Sequence, residues 1–573
     1  MEGVGKSAFN FKIDKRAFAL GFAIFALGLL IRLIGIGWGL PNSERVTSLH
    51  PDEPIVLGVA QRIQPTQLNF TPGFYNYGTF YPSLLRVAID GINAYGGGPV
   101  GEKPTPESIA VATAHYHMAG RVISALAGAA IGWVVVLLLL PFAGQLGAGA
   151  GGLACAIAPG LVVHSRFQTV DVLATFLAAC SLLWAIRVAT VEAPSLKWVG
   201  FAGMLAGLSA GTKYTGLLLL LPLCTGIYFG FKSDKIRLGK ALGIAVGSIL
   251  IAFVVSTPGV LLQTDAFMRD FKYEALHTSQ GHGLTFIGTS SGFIYHLSNL
   301  AETLSPLLLL MGAIGLAWLA YQKQKWVVVM VVFGLAYYVL IGRAEVKFLR
   351  YVLPLVPVIA CGFGGLVGWL HQQAGYVKYI NVFGIVALTG FGGGGLYQTI
   401  VFSQWMQGDD LRDVVGRDLR QKAPASVGIV EDAWFWTPTL YPMAAVPRAV
   451  PFLARLEAQQ AAPVKVLQVV DGEARPQWDT RLIEQLKPDR ITFTSFEYDD
   501  LERMAHMTKV PDQDKPLVDA FILFLKTLNR DYEPELPEGM SQPLGMEGPK
   551  VHDLMYIRPT IWVWKRKTAS PTP

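Results

Sequence analysis

Long apolar stretches fill most of the first 402 residues of this 573-residue chain, at 17–40, 114–141, 144–163, 170–191, 198–211, 214–231, 237–257, 298–321, 326–341, 351–371 and 378–402. A helix needs roughly 20 apolar residues to cross a hydrocarbon core of about 30 Å. Inside that core the backbone must satisfy its own hydrogen bonds, which restricts such stretches to helices. The pattern predicts a polytopic α-helical membrane protein with about eleven transmembrane helices. Composition agrees, since only 15% of residues are charged against about 25% in soluble proteins. The run at 198–211 is short and rich in Gly and Ala.

Charge placement orients the chain. Lys6, Lys12, Lys15 and Arg16 precede the first run, which puts the N-terminus in the cytoplasm. Alternating sides then place Arg187 and Lys197, Lys232 to Lys240, Lys323 and Lys325, and Lys378 on that same face, in short basic connections. The net charge of +6 is spent on these connections, so nucleic acid is not an expected partner. The first run is too long for a cleaved signal and lacks a small-residue cleavage site, so it reads as a retained anchor. Arg32, near its outer end, reads as a snorkelling side chain. Cys155, Cys180, Cys224 and Cys361 all lie in apolar runs without CxxC spacing, which indicates neither a zinc site nor a disulfide framework.

From about residue 403 the texture changes. Residues 427–430, 464–470 and 490–494 read as strands, 480–487 and 516–528 as helices, and the Pro-, Glu- and Gly-rich 531–553 as loop. The reading divides the chain into a transmembrane domain at 1–402 and a C-terminal extracytoplasmic α/β domain at 403–573, with 41–110 as the first outer loop.

That outer loop holds Ser48–Leu49–His50–Pro51–Asp52–Glu53–Pro54. Two adjacent carboxylates beside a bilayer are costly to place. They suit an acidic catalytic centre, and equally the first turn of a helix begun by Pro51. An aromatic stretch at 69–82 follows, suited to the headgroup layer or to stacking on a sugar. Three more clusters fall on the same side. Arg166 and Asp171 follow the third run, where Asp171 can cap the next helix, hold a cation or orient Arg166. Lys213 sits between two runs, either snorkelling or placed as a point charge for phosphate. Lys347 and Arg350 are three apart, spaced to clamp one phosphate or simply to anchor a span. In the loop 258–297, Glu274, His277 and His282 offer metal donors without a firm ligand spacing, so an ordinary polar loop is the other reading.

Four stretches in order resemble the GT-C superfamily of membrane glycosyltransferases. The resemblance is to the group of protein O-mannosyltransferases and the lipid A aminoarabinose transferase (glycosyltransferase family 39 and bacterial relatives). They are Pro51–Asp52–Glu53, Ser165–Arg166–Phe167–Gln168–Thr169–Val170–Asp171, Thr212–Lys213–Tyr214–Thr215–Gly216–Leu217 and Phe348–Leu349–Arg350–Tyr351–Val352–Leu353–Pro354. The resemblance covers residues 15–400 and no motif beyond them. It implies a GT-C-like fold in a bacterial inner membrane. It also implies an inverting transfer of sugar from a polyprenyl-phosphate donor to an acceptor hydroxyl on the outer face. The acceptor is a glycan, a lipid or a protein. The family's catalytic acid position falls on Asp52, with Glu53 positioning it or a metal. A second acidic position falls on Asp171; some relatives bind a divalent cation and others do not, and where one is bound Asp171 and, from the loop at 258–297, His282 are its candidate ligands. Arg166, Lys213, Lys347 and Arg350 are the candidates for the donor phosphate. His50 departs from the eukaryotic mannosyltransferase pattern. A lipid-linked sugar transporter or flippase, or a polysaccharide polymerase or ligase, is the alternative function.

Overall fold

The computed structural model describes residues 15–45, 47–101, 105–373, 376–390, 393–422, 425–433, 435–440, 464–536 and 551–568. The basic segment 1–14 lies outside them, as does 537–550 within the expected loop at 531–553.

The first apolar run forms α1 (Lys15–Leu33). Arg32 does not snorkel. It is fully buried, with Nη1 donating to the carbonyls of Gly28 and Ala156, each at 2.9 Å, and Nε donating to Ser165 Oγ at 3.0 Å. A buried guanidinium needs such acceptors, because its five N–H groups lose water on burial. The segment 41–110 is not an open loop. It folds into α2 (Asp52–Arg62) and α3 (Phe80–Ala94), and α4 (Pro106–Ile157) begins before it ends.

The runs at 114–141 and 144–163 are largely continuous in α4, which turns at Gly144. There φ is +63°, a conformation open to glycine at little cost. Pro141, three residues earlier, removes one ladder hydrogen bond and favours the break. Two short connections lead through α5 (Pro159–His164) to α6 (Val170–Thr190). The loop expected at 258–297 is also largely helical, with Thr264–Gln280 as its main element.

Among the described residues, six helices are long and apolar enough to cross a membrane, or seven if one bent pair counts as a span. The apolar runs outnumber them because composition does not report bends. The run at 298–321 is two helices, Gly292–Thr303 and Pro306–Tyr321, bent by 110°. Pro306 opens the second, and Ser305 caps it by accepting from Leu308 N. The last run divides into Val377–Thr389 and Gly395–Trp405. Helices approach closely where side chains are absent: a Cβ on Gly364 would lie 2.4 Å from the carbonyl oxygen of Gly147, and the reverse. Small residues at such crossings let dispersion contacts hold helices together in lipid, where the hydrophobic effect gives no help.

The chain beyond 402 holds a five-stranded mixed sheet in the order β2-β1-β3-β5-β4. Its strands are β1 (Ser426–Ile429), β2 (Lys465–Leu467), β3 (Arg490–Thr494), β4 (Tyr532–Glu535) and β5 (Ile561–Arg566). β1 pairs in parallel with β2 and β3, while β5 runs antiparallel to β3 and β4. The start of the expected loop at 531–553 is therefore a strand, β4, and its end enters a short helix, His552–Met555. The expected helix at 480–487 is a single wide turn, Leu482–Leu486, and that at 516–528 is Lys515–Asp531. Trp478, Phe493, Phe521 and Phe524 form the core on one face of the sheet.

This unit is fastened to the helical body by buried charge and apolar packing. Arg45 is paired with Asp413 at 3.1 Å, both nearly inaccessible. Glu44 accepts from Arg417 at 2.8 Å and Arg420 at 2.6 Å. Trp38, Leu49, Phe167 and Leu349 pack in one cluster with Phe435, Phe496, Leu554 and Tyr556. Asp413→Ala strands Arg45 without its counter-ion, at a cost of about 3–5 kcal/mol. The expected result is a lower melting temperature of the purified protein and faster protease cleavage between the two units.

Candidate active site

Pro51 precedes α2, and Asp52 and Glu53 occupy its first turn, where the helix dipole favours negative charge. Successive residues on a helix project about 100° apart, so the two carboxylates face different surroundings.

Glu53 points inward and is completely buried. Its Oε1 accepts from Arg121 Nε at 2.8 Å and its Oε2 from Arg121 Nη2 at 2.7 Å. The backbone N–H of Gln168 also donates to Oε1, at 2.8 Å, and the Ser48 hydroxyl donates to Oε2. Arg121 spends its remaining Nη1 hydrogen bonds on the carbonyls of Ile36, at 2.7 Å, and Trp38. Burial acts to raise the Glu53 pKa, but the charge and hydrogen bonds of Arg121 prevail and hold it at about 2. The geometry therefore makes Glu53 the anchor that fixes α2 against α4 and the 165–171 stretch, and it leaves no free lone pair for a substrate proton.

Asp52 keeps 23% of its side chain exposed. It lines a cavity of about 970 Å³ between the helical body and the C-terminal unit, together with Arg350, His282, Trp436, Glu497 and Tyr556. Its backbone N–H donates to His50 Nδ1 at 3.2 Å. Burial lowers the pKa of His50 to about 4, so this ring is a neutral acceptor at neutral pH.

Arg350 faces Asp52, with Nη2 3.4 Å from Oδ2. It also lines a second, narrow cleft that includes Asp171, Lys213, Tyr337 and Pro354. There Lys213 Nζ donates to Asp171 Oδ1 at 2.6 Å and lies 4.4 Å from the centre of the Tyr351 ring. The structure thus brings Asp52 and Arg350 into one contact, Asp171 and Lys213 into another, and places Arg350 in the walls of both spaces.

Two residues proposed for phosphate binding lie elsewhere. Arg166 is fully buried. Its Nη2 donates to the Ile31 carbonyl at 2.8 Å and to Ser403 Oγ at 2.6 Å, which makes it a tie between helices rather than a ligand group. Lys347 pairs with Glu345 at 3.5 Å and donates to Thr289 Oγ1 at 3.1 Å; it shares no contact with Arg350. For the expected metal ligands, His282 is bonded to His277 at 2.9 Å and Asp171 is engaged by Lys213. Among the described residues no group of three or more His, Cys, Asp or Glu side chains forms a potential cation site. These side chains do not assemble a metal cage, and the steps proposed below use none.

Sequence reasoning missed two charged groups of the site. Arg121 had a signal, because it stands inside the apolar run 114–141, where an ionisable side chain asks for a partner. Asp553 had none. It lies in a stretch read as loop, yet it is completely buried against Arg350.

Residues 109–359 match the model of glycosyltransferase family 87. No curated protein matches the chain in sequence. Among solved structures, ArnT from Cupriavidus metallidurans bound to undecaprenyl phosphate is 14% identical, with 96% of this chain and 98% of that one covered, at a TM-score of 0.48. The Archaeoglobus fulgidus oligosaccharyltransferase AglB, in complex with an inhibitory peptide and a dolichol-phosphate, is 12% identical. It covers 89% of this chain and 72% of its own at a TM-score of 0.48. The S. cerevisiae protein O-mannosyltransferase Pmt1-Pmt2 complex bound to the sugar donor is 19% identical over 51% of this chain and 37% of that one, at a TM-score of 0.32.

Glu53→Gln leaves Arg121 buried without its counter-charge and destabilises the fold by about 3–5 kcal/mol. Asp52→Asn changes a partly exposed pair, at about 1 kcal/mol or less. Thermal unfolding in detergent should separate the two. A second expectation concerns Glu497 on the cavity wall, whose pKa is raised from 4.5 to about 8 by burial and by Glu431. The folded state then holds a proton that the unfolded chain has released, so stability is full below about pH 4.5 and falls as pH rises towards 8. Glu497→Gln should flatten the fall in melting temperature across that window.

Proposed function

We propose that the protein is an inverting glycosyltransferase that moves a sugar from a polyprenyl-phosphate donor to an acceptor hydroxyl, at the outer face of a bacterial inner membrane. The observation that carries this reading is the position of Arg350. It lines both the cavity that holds Asp52 and the cleft that holds Lys213, which supports one cation bordering both the base and the phosphate side.

In this mechanism the acceptor enters the large cavity and its hydroxyl donates to Asp52. Asp52 takes the proton as the oxygen attacks the anomeric carbon from the face opposite the phosphate. General-base help of this kind is worth about 10² to 10⁴ in rate. The bond from the anomeric carbon to the phosphate oxygen breaks, and the lipid phosphate leaves with the electron pair. Negative charge grows on that phosphate, so cations beside it stabilise the transition state more than the ground state. Lys213 and Arg350 are placed for that role. Lys213 Nζ donates to Asp171, and Arg350 is engaged by Asp553, by the Asp52 carboxylate and by the Tyr556 hydroxyl. The carboxylates keep the cations in place and neutralise them before the donor arrives, while their remaining N–H groups are available to phosphoryl oxygens. The donor's lipid tail stays in the bilayer beside the helices that frame the cleft. The active site and the sheet unit then lie on the extracytoplasmic side, opposite the basic connections.

Deleting the gene and comparing envelope glycans by mass spectrometry should identify the missing sugar and its attachment point. Restoring Asp52→Asn to that strain should recover at most about a tenth of the modification, since an amide cannot accept the proton. Full recovery at matched expression would remove Asp52 from the chemistry and with it this reading.

A further inference from the structure

The C-terminal unit contributes one fully buried carboxylate to the helical body, Asp553. Asp553 takes no part in the proton or group transfer itself. It belongs to the short helix His552–Met555, which precedes β5 in the chain, and β5 pairs with β3 and β4. Leu554, Met555, Tyr556 and Ile557 pack into the cluster that also contains Leu49, Phe167 and Leu349. The carbonyl of Tyr556 is further pinned by Arg412 Nη2, and Arg412 is itself fully buried. The sheet unit therefore delivers Asp553 into the helical body at a fixed position.

What it meets there is Arg350. Asp553 Oδ2 accepts the backbone N–H of Arg350 at 2.8 Å, and Oδ1 accepts from Nη1 at 3.1 Å. His164 Nε2 stands 3.6 Å from Oδ2. The guanidinium also lies over the Phe348 ring, its Cζ 4.0 Å from the ring centre. One edge of Arg350 is thus committed to Asp553, the Tyr556 hydroxyl takes a further hydrogen bond, and Nη2 faces Asp52 at 3.4 Å. An unrestrained arginine beside a carboxylate closes into a two-bond fork, which is the stronger arrangement. Such a fork would occupy both oxygens of Asp52 and leave none to receive a proton.

We infer that Asp553 is a positioning residue for the transfer reaction: it holds Arg350 between the two spaces and keeps Asp52 free to receive the acceptor proton. This rests on the function proposed above for Asp52 and Arg350. It also gives the C-terminal unit a part in turnover, since the unit supplies the charge that sets the geometry of the membrane-embedded cation.

Asp553→Asn is the discriminating change. The amide has nearly the same shape but one acceptor and one donor end. It can accept from either the Arg350 backbone or Nη1, and at the other position donor meets donor, which drives the guanidinium towards Asp52. The full-length protein is reconstituted in vesicles. It is assayed with the lipid-linked sugar fraction extracted from a strain deleted for the gene, and with that strain's envelope as acceptor. The expected result is a loss of turnover of about tenfold or more, as misplacement at a reacting centre produces. The donor concentration at half-saturation should stay within about twofold, because both cations remain. Asp553→Glu, which keeps the charge, should recover most of the turnover. The melting temperature and the protease resistance of the junction between the units should stay near wild type in the Glu variant.

Turnover of Asp553→Asn equal to wild type would overturn the inference. So would a loss in which half-saturation worsens in proportion, or one that Asp553→Glu does not repair, since either describes a displaced domain rather than a misaligned arginine. Asp52→Asn in the same assay separates the two levels. If it transfers normally, the proposed function itself fails; if it is inactive while Asp553→Asn is normal, only the role of Asp553 fails.

Discussion

The ion pair between Glu53 and Arg121 is the constraint on which the site depends. Neither side chain has any contact with solvent. Two charges so deeply withdrawn from water persist only when each is fully hydrogen-bonded, and here each is. Glu53 binds Arg121, Ser48 and the Gln168 backbone, while Arg121 reaches the carbonyls at the end of the first helical segment. One carboxylate thereby joins three parts of the chain that are remote in sequence. The neighbouring Asp52 is aimed at the cavity as a consequence, because a helix fixed by one residue has no freedom to rotate the next.

The same economy of charge runs through the rest of the site. Lys213 is held by Asp171, Arg350 by Asp553, and Arg45 by Asp413. Some of these pairs fasten parts of the fold and others face the cavities, and the distinction lies in what surrounds them. Glu53 is saturated by neighbours, and Arg166 is buried with both Nη groups engaged, so neither faces open space. Asp52, Lys213 and Arg350 each keep hydrogen-bonding capacity towards open space, which is what the proposed transfer requires of a base and of cations for a departing phosphate.

The acidic motif at 51–53, the Arg166–Asp171 stretch, Lys213 and Arg350 were all legible as candidates, because charged residues at the ends of apolar runs stand out against their surroundings. The resemblance assigns the base to Asp52 and a positioning role to Glu53, but the partners that separate anchored groups from open ones were not legible. Nothing in the string names the partner of Glu53, and only the path of α4 brings Arg121 to it. Arg166 and Arg350 look alike for the same reason, yet Arg166 is consumed by Ile31 and Ser403 from distant segments. The strand at 532–535 was hidden by its Pro and Glu residues. It lies at the edge of the sheet, where a proline is tolerated because one side needs no ladder donor.

By itself the sequence determined the solvent of this protein and the kind of element it uses, since the free energy of burying apolar runs in a bilayer is local and additive along the chain. It also determined which ionisable residues stand near the ends of those runs. Only the tertiary structure decided where runs bend rather than cross and which carboxylate is anchored and which is open. It alone brought Asp553, 203 residues from Arg350, to that arginine. Hydrogen bonds and ion pairs act over a few ångströms, and separation along the chain does not encode that distance.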